Sequence, residues 1–549
     1  MVALSQHIRL SPELASEPES RSSARALPGG SRRLSICLIN PRFEPSYWGF
    51  DFALPLYPGD RRASMIPGAL PTLAALAAPH DVCLLDENVE EINFDTLRAF
   101  DIVGVTGMIV QRARMIEILH KLREREIYVA VGGPLASVDP DYFSGLYDVL
   151  FLGEADTTWP EFLADYAAGK DCAEVYEQKD RTDMQKLPQP RYDLLKVDRY
   201  ASGSLQFSRG CPFECEFCDI IVTFGRVPRT KTPKQVIEEL EGLRKDGFFS
   251  VFIVDDNFIG NKKRARELLE EIVVWQETNN YPLRLSTEAS VNLADEPYLL
   301  DLMYRANFRY VFLGIETPRV ESLKETKKFQ NARGDSLDDK LRRIQEAGLD
   351  VYGGFIVGFD HDDMSIFDDQ YNFIQGNGIQ LAMVGMLTAI PKTPLYARLE
   401  KEGRLNMANP NSNIIPAQMS AETLQENYWK LVKRLYTPQA FLERYFKAYD
   451  LPEYLDKRAE ISRKASEGKF LPTLSYGLIL LWKLVNELVR DGSLGSIGKV
   501  YLRYFGKSRK YRRDTIAFAQ FMNRCVTHWH FYKFTREASA GNLRLWNSS

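Results

Sequence analysis

Between residues 34 and 390 the chain repeats one pattern, a short apolar run followed by a longer amphipathic stretch. LSICLIN (34–40), DVCLLDE (81–87), DIVGVTG (101–107), IYVAVGG (127–133) and DVLFLGE (148–154) form a first series of strands. SLQFSRG (204–210), FSVFIVDDN (249–257), LRLSTEAS (283–290), YVFLGIET (310–317), VYGGFIVGF (351–359) and LAMVGMLTAI (381–390) form a second. Near-continuous apolar strands separated by helices read as parallel sheets covered on both faces. Helices are expected over 111–125, 233–246, 262–277, 297–305 and 337–347. The first series implies an open sheet. The six units of the second suit a partial or complete barrel, whose chemistry belongs at the strand C-terminal ends.

The remaining length is organised around these two units. Residues 1–30 are rich in Ser, Pro, Ala and Glu and read as a disordered leader. The first α/β domain is expected over 31–168, a linker containing Pro188 and Pro190 over 169–202, the barrel over 203–397, and a mainly helical extension over 398–549. In that extension Ser420 stands as N-cap before AETLQENYWKLVKRLY. With 70 basic against 74 acidic residues and a net charge of −4, a general nucleic-acid binder is excluded. Glu13, Glu17, Glu19 and Arg21 break the N-terminus before any apolar export core forms, so the expected location is the cytoplasm.

Seven cysteines do not make a disulfide scaffold in a chain of 549 residues, and their spacing is the informative property. Cys211, Cys215 and Cys218 fall in SRGCPFECEFCDI with CxxxCxxC spacing, while Cys37, Cys83, Cys172 and Cys525 lie apart. Three thiolates on one loop can hold three irons of a four-iron, four-sulfur cluster and leave the fourth iron open to a small molecule. The alternative is a zinc site completed by a distant Cys or His.

The triplet, set at the first strand of a six-unit (β/α) domain, resembles the radical S-adenosylmethionine superfamily. The resemblance implies that the open iron binds S-adenosylmethionine and that reductive cleavage yields a 5′-deoxyadenosyl radical. It places Phe217 near adenine, and Gly354 and Gly358 of GFIVG along it. Where the family has a glycine-rich motif this chain has VDDN, so Asp255, Asp256 and Asn257 are candidates for orienting the ammonium. Glu288 and Glu316 end the third and fourth strands and are candidates for ribose or substrate, or else surface caps or structural ion pairs.

The first domain resembles the Rossmann-like cobalamin-binding domain attached to such barrels. That implies cofactor contacts from Thr106, Gly107 and Met108, from Gly132 and Gly133, and from Gly153 and Glu154. Tight turns of any flavodoxin-like sheet are the alternative. Where cobalamin proteins with a lower histidine carry DxHxxG, this chain has NPRFEPSYWG, and no histidine occurs between His7 and His80. The cobalt is therefore expected to lack a histidine from that loop.

Among such enzymes the chain is most similar to the hopanoid C-2 methylase group, through YWGFDFALP (47–55), FGRVPRTKTPKQVIEEL (224–240), VDDNFIGNKK (254–263), STEASVNLAD (286–295) and AIPKTPLY (389–396). The likeness runs over roughly residues 34–440. It implies methylation of an unactivated carbon in a small-molecule or lipid substrate, with methylcobalamin as donor and a flavodoxin or ferredoxin as reductant. No acid–base catalytic residue is expected. A cyclase, oxidase or rearrangement enzyme with the same cofactors is the alternative, and a non-enzymatic iron–sulfur or cobalamin sensor is another. Finally, FLPTLSYGLILLW (470–482) precedes a basic stretch of Lys499, Arg503, Lys507, Arg509, Lys510, Arg512 and Arg513. That order fits peripheral contact with the inner face of the cell membrane; a helix buried against the barrel is the other reading. Thr527, His528, Trp529 and His530 are read as structural, because residues two apart do not share a helix face.

Overall fold

A computed structural model describes residues 32–409, 412–466, 470–508 and 515–543. The leader expected over 1–30, and Arg509, Lys510, Arg512 and Arg513, lie outside the described residues. The first unit contains β1 (Ser35–Asn40), β2 (Ala63–Met65), β3 (Asp81–Asp86), β4 (Ile102–Thr106), β5 (Val129–Gly132), β6 (Val149–Leu152) and β7 (Val175–Glu177). All but β2 make one parallel sheet in the order β3-β1-β4-β5-β6-β7. Helices cover both faces. Met115, Ile118, Leu119 and Leu122 of Arg112–Arg123 fill one side, and Trp159, Phe162 and Leu163 of Thr158–Ala167 the other. The strand order reverses between β1 and β4, which opens a crevice at their C-terminal ends.

The second unit contains β8 (Tyr200–Leu205), β9 (Ser208–Arg209), β10 (Arg229–Thr230), β11 (Ser250–Ile253), β12 (Arg284–Ala289), β13 (Phe308–Glu316), β14 (Asp350–Val357) and β15 (Leu381–Met386). Six of these strands run parallel in the order β15-β14-β13-β12-β11-β8, and β2 from the first unit adds a seventh beside β8, pairing Ala63 with Tyr200 and Met65 with Ser202. The sheet is thus an open partial barrel whose edge is completed by the preceding unit. Two segments differ from the sequence expectation. The stretch read as linker supplies β7 and the first half of β8, and SLQFSRG is not one strand but breaks after Leu205 into the short ladder of β9 with β10.

Beyond the barrel the chain is helical, as expected, with Ser420 Oγ accepting from the Thr423 amide at the start of Ala421–Leu435. These helices close the N-terminal end of the barrel around one buried carboxylate. Asp350 accepts from Arg458 at 2.9 Å, Arg524 at 2.5 Å and Gln380 at 2.8 Å, and from the Tyr454 hydroxyl. One apolar core runs from the Trp159 face of the first sheet through the barrel walls to Phe521, Met522 and Phe531 of Thr515–Ser539. His528 and His530, both fully buried, face different neighbours: His528 Nε2 lies 3.2 Å from the Tyr436 carbonyl, and His530 Nδ1 accepts from the Phe52 amide at 3.3 Å.

Candidate functional site

The three spaced cysteines sit on a loop pinched at its base by the two-residue ladder of Ser208–Arg209 with Arg229–Thr230. Gly210 turns the chain off that ladder at φ +97°, and a Cβ there would stand 2.9 Å from the Gly225 carbonyl oxygen. The Cys211 amide donates to that same carbonyl. Glu216 fixes the other side, its amide donating to the Thr326 carbonyl and its carbonyl accepting from the Leu395 amide. Cys215 is buried, and Cys211 and Cys218 are half-buried. Asn257 Nδ2 lies 3.8 Å from Cys211 Sγ, and Gln330 Nε2 donates to Cys215 Sγ at 3.5 Å. Burial raises the Cys211 and Cys218 thiols above their ordinary value, so loading of iron must displace their protons.

Among the described residues no three His, Cys, Asp or Glu side chains are drawn together tightly enough to hold one metal ion. The loop does match an iron–sulfur cluster in donor chemistry: three thiols on one rigid turn, with Cys215 in electrostatic reach of both others.

Around this loop the strand ends place the remaining candidates in distinct roles. Asp255 is buried and accepts from the Phe207 and Ser208 amides and the Ser208 hydroxyl, so it ties β11 to the approach of the cysteine loop. Asp256 accepts from the Gly210 amide at 2.7 Å. Asn257 Nδ2 donates to the Ser290 hydroxyl at 3.2 Å. Glu316, left-handed at φ +65°, accepts from Lys328 Nζ at 2.6 Å. That ammonium lies 5.8 Å from the Phe217 ring and within electrostatic reach of all three cysteines. Gly358 is held at φ +105° by Asp362, which accepts from the Gly358 and Phe359 amides, while a Cβ on Gly354 would meet the Phe312 ring at 3.1 Å.

Glu288 differs from the others in having no hydrogen bond to its carboxyl among the described residues. Burial, then repulsion from Asp256 and Asp255, pushes that carboxyl up to about 8 from an ordinary value near 4.5. Between those values the folded chain holds a proton that the unfolded chain releases. Its contribution to stability is thus complete below about pH 4.5 and lost as pH rises through about 8. In cofactor-free protein, Tm should fall more steeply from about pH 5 to about pH 9 in the wild type than in Glu288→Gln, which has no such proton. Equal slopes in a thermal scan would remove Glu288 as the titrating group.

The tips of the first sheet face this loop. Lys392 Nζ, just after β15, donates to the Ser137 carbonyl at 2.6 Å, and Pro134–Val138 lies against Ile220–Thr223 of the cysteine loop. Met108 is exposed at the tip of β4, its amide donating to Gln111 Oε1, and Gln111 Nε2 in turn donates to Asn40 at the end of β1. The glycines here have a packing cause of their own. A Cβ on Gly133 would lie 2.4 Å from Thr106 Oγ1, one on Gly107 2.7 Å from Met115 Sδ, one on Gly132 3.3 Å from Phe151 Cβ, and one on Gly153 2.7 Å from the Gln178 carbonyl oxygen. Glu154 is tied to the barrel through Oε2, which accepts from Arg209 at 2.8 Å and Arg229 at 2.9 Å. The loop after β1 holds no histidine, and His80 sits before β3, at the opposite end of the sheet from the crevice, where Nδ1 accepts from the Leu34 amide.

Two groups at the site escape sequence reasoning. Lys328 belongs to KETKKFQ, which reads as a solvated basic turn; only the fold buries it beside Glu316 and the cysteines. Trp48 was visible only as part of a matching stretch. Val311, Leu313 and Ile315 are buried under the outer helices, so Tyr310 and Phe312 point into the barrel lumen. Register then puts Phe252, Ser286 and Tyr310 in one lumen row and Glu288, Phe312 and Tyr352 in the next. Trp48 packs 5.3 Å from Phe312 and 6.2 Å from Phe252, and Tyr310 stacks on Tyr352 at 4.3 Å. The loop from β1 is held there by Tyr47 against Phe534 at 4.9 Å and Phe50 against His530 at 5.2 Å.

Residues 205–374 match the family model described as the radical SAM superfamily, and residues 393–542 match a domain of unknown function, DUF4070. The chain is 34% identical to the hopanoid C-2 methylase of Rhodopseudomonas palustris, over 96% of this chain and 98% of that protein. It is 41% identical to an uncharacterised methyltransferase of Synechocystis sp., over 77% of this chain and 82% of that protein. Among solved structures, the cobalamin-dependent S-adenosylmethionine radical enzyme OxsB, with aqua-cobalamin and S-adenosylmethionine bound, shares the fold at TM-score 0.59 and 15% identity, over 92% of this chain and 80% of that one. The radical S-adenosylmethionine methyltransferase TsrM from Kitasatospora setae, with cobalamin and a [4Fe-4S] cluster bound, does so at TM-score 0.55 and 17% identity, over 69% and 76%.

Proposed function

Because the chain belongs to the cobalamin-dependent radical S-adenosylmethionine enzymes, we propose that it methylates an unactivated carbon of a polycyclic lipid of the hopanoid class. The observation that supports this substrate most is the lumen. Phe252, Tyr310, Phe312 and Tyr352 wall it, and Trp48 from the first unit packs onto that wall. Broad ring faces suit a rigid, flat, apolar body, which gains dispersion contact without needing polar partners. The likeness to the hopanoid enzyme of R. palustris also extends through the helical region, which supplies Tyr436, Phe531 and Phe534 beneath Tyr47.

Cys211, Cys215 and Cys218 would hold a four-iron cluster through three of its irons. Asp256, Asn257, Glu288, Glu316, Gly354, Gly358 and Phe217 would border S-adenosylmethionine, and the tips at Thr106–Met108, Gly132–Gly133 and Gly153 would border cobalamin. Bound together, these groups supply a hydrogen-abstracting radical and a methyl donor. The chain's own part is placement. Lys328 sets a buried positive charge beside three thiolate ligands, Asp255 and Asp256 hold the approach to the loop, and Trp48 packs its ring on the lumen wall.

The test is anaerobic incubation of reconstituted protein with a pentacyclic hopene and methyl-labelled S-adenosylmethionine. Labelled methyl in the recovered lipid, by mass, is the expected result. A modified lipid without label would replace methylation by oxidation or rearrangement, and unchanged lipid with no 5′-deoxyadenosine would reject turnover on this class.

A further inference from the structure

We propose that the outer face of the helix Phe470–Arg490 is a docking surface for an anionic lipid bilayer, on which the protein rests without crossing it. No helix among the described residues is long and apolar enough to span a membrane. The helix is apolar on both sides, and its two sides meet different surroundings. Its inner row of Gly477, Leu480, Leu484 and Leu488 is buried, with Gly477 pressed against Phe518 and Ala519 of Thr515–Ser539.

Among the described residues the outer row has no such partner. Leu471, Leu478, Trp482 and Val489 follow at intervals of seven, four and seven residues, which stack them in one line. At 1.5 Å per residue that line is about 27 Å long. Leu471 is 73% exposed, Leu478 50% and Trp482 66%, and Leu471, Leu474, Ser475, Leu478, Ile479 and Trp482 line one shallow recess. Lys483, Glu487 and Arg490 are the charged residues of this helix. Lys483 is turned inward, donating to the Pro55 and Tyr57 carbonyls, and Arg490 pairs with Glu487. A contiguous apolar strip of this kind marks an interaction site.

Charge selects the occupant. In the next helix, Lys499–Ser508, Leu502 stands 73% open, with exposed Lys499 on its face three residues before and exposed Arg503 next to it in the chain. Neither cation has an acidic partner among the described residues. Lys507 follows, and the sequence continues with Arg509, Lys510, Arg512 and Arg513. Apolar side chains and a Trp on one helix, followed on the next by Lys499 and Arg503 without acidic partners among the described residues, complement acyl chains beneath anionic headgroups. Through Lys483 the same helix is bonded to the segment that follows Trp48, whose ring packs on Phe312 of the lumen wall. The inference rests on the surface alone and holds whichever molecule is methylated.

The test is sedimentation of the full-length reconstituted protein with sucrose-loaded vesicles of phosphatidylglycerol and phosphatidylcholine, against phosphatidylcholine alone. Wild type should sediment with the anionic vesicles and release as salt is raised. The pair Leu478→Glu with Trp482→Glu should weaken binding by at least about tenfold, and Lys499→Glu with Arg503→Glu should abolish the preference for phosphatidylglycerol. Iron content and the cobalamin spectrum, unchanged in both pairs, report that the variants fold. Wild type remaining in the supernatant with anionic vesicles overturns the proposal, as does equal sedimentation of the Leu478/Trp482 variant. A wild-type dimer in light scattering that this variant converts to monomer, without vesicle binding, overturns it in favour of a second copy.

Discussion

Replacement of Cys211, Cys215 or Cys218 by Ala should remove most of the iron from reconstituted protein and abolish formation of 5′-deoxyadenosine from S-adenosylmethionine under strong reduction. The loss should be complete for each position, because a cluster with three protein ligands has no spare one, and the turn around Gly210 and Gly225 sets the geometry for all three. The fold should survive. The removed sulfur leaves a cavity smaller than a methylene pair, worth about 1 kcal/mol at buried Cys215 and less at the two half-buried positions. Cys172→Ser is the matched control and should retain full iron. Iron quantitation and product chromatography check both, and an active, iron-replete variant at any of the three positions would falsify the assignment.

Glu154→Ala should destabilise cofactor-free protein by about 2 kcal/mol in denaturant unfolding, because it takes a buried carboxylate from two half-buried guanidinium groups, which keep Asp156 and the Thr182 and Phe224 carbonyls as acceptors. The carboxylate is 1% exposed, and Arg209 and Arg229 reach it from the base of the cysteine loop. Burial alone would raise its pKa; the hydrogen bonds from Arg229 and Arg209 outweigh that and hold it below its ordinary value. Its contribution is therefore present above an ordinary carboxylate pKa near 4.5 and fades as pH falls through the depressed folded value, where the wild type and the variant should converge. A residue that served only to contact cobalamin would leave the stability of the cofactor-free chain unchanged. Iron uptake should fall as well, since Arg209 lies two residues before Cys211 and would lose one of the carboxylates that anchor it.

The sheet-forming pattern was legible because a strand buried on both faces must be apolar along its length, and each expected strand from 34 to 154 appears within a few residues of its place. The cysteine loop was legible because chemistry imposes its spacing. Other features were not, for reasons that lie in long-range packing. Ala63–Met65 is too short and too ordinary to announce itself as the seventh strand of a sheet otherwise built from residues after 199. Tyr200–Leu205 does not read as a strand because Ser202, Gly203 and Ser204 interrupt its apolar run; β2 pairs along it in the fold. Lys328 looks like its solvated neighbours until the turn after β13 folds it beneath Phe217. Glycines at 107, 132, 133 and 153 pointed to a cofactor crevice by resemblance, yet each also has a packing reason that no sequence displays.

By itself the sequence determined the class of architecture and the spacing of the three thiols, since hydrophobic periodicity and residue spacing are local properties that any fold of this chain must respect. Only the tertiary structure decided how the two units share an edge strand, which carboxylates are paired with arginines and which stands alone in the lumen, and which face of an apolar helix is covered. These depend on contacts between residues up to several hundred positions apart, such as Phe52 with His530 and Lys483 with Pro55, where burial and charge pairing are set by the partner and not by the local run of residues.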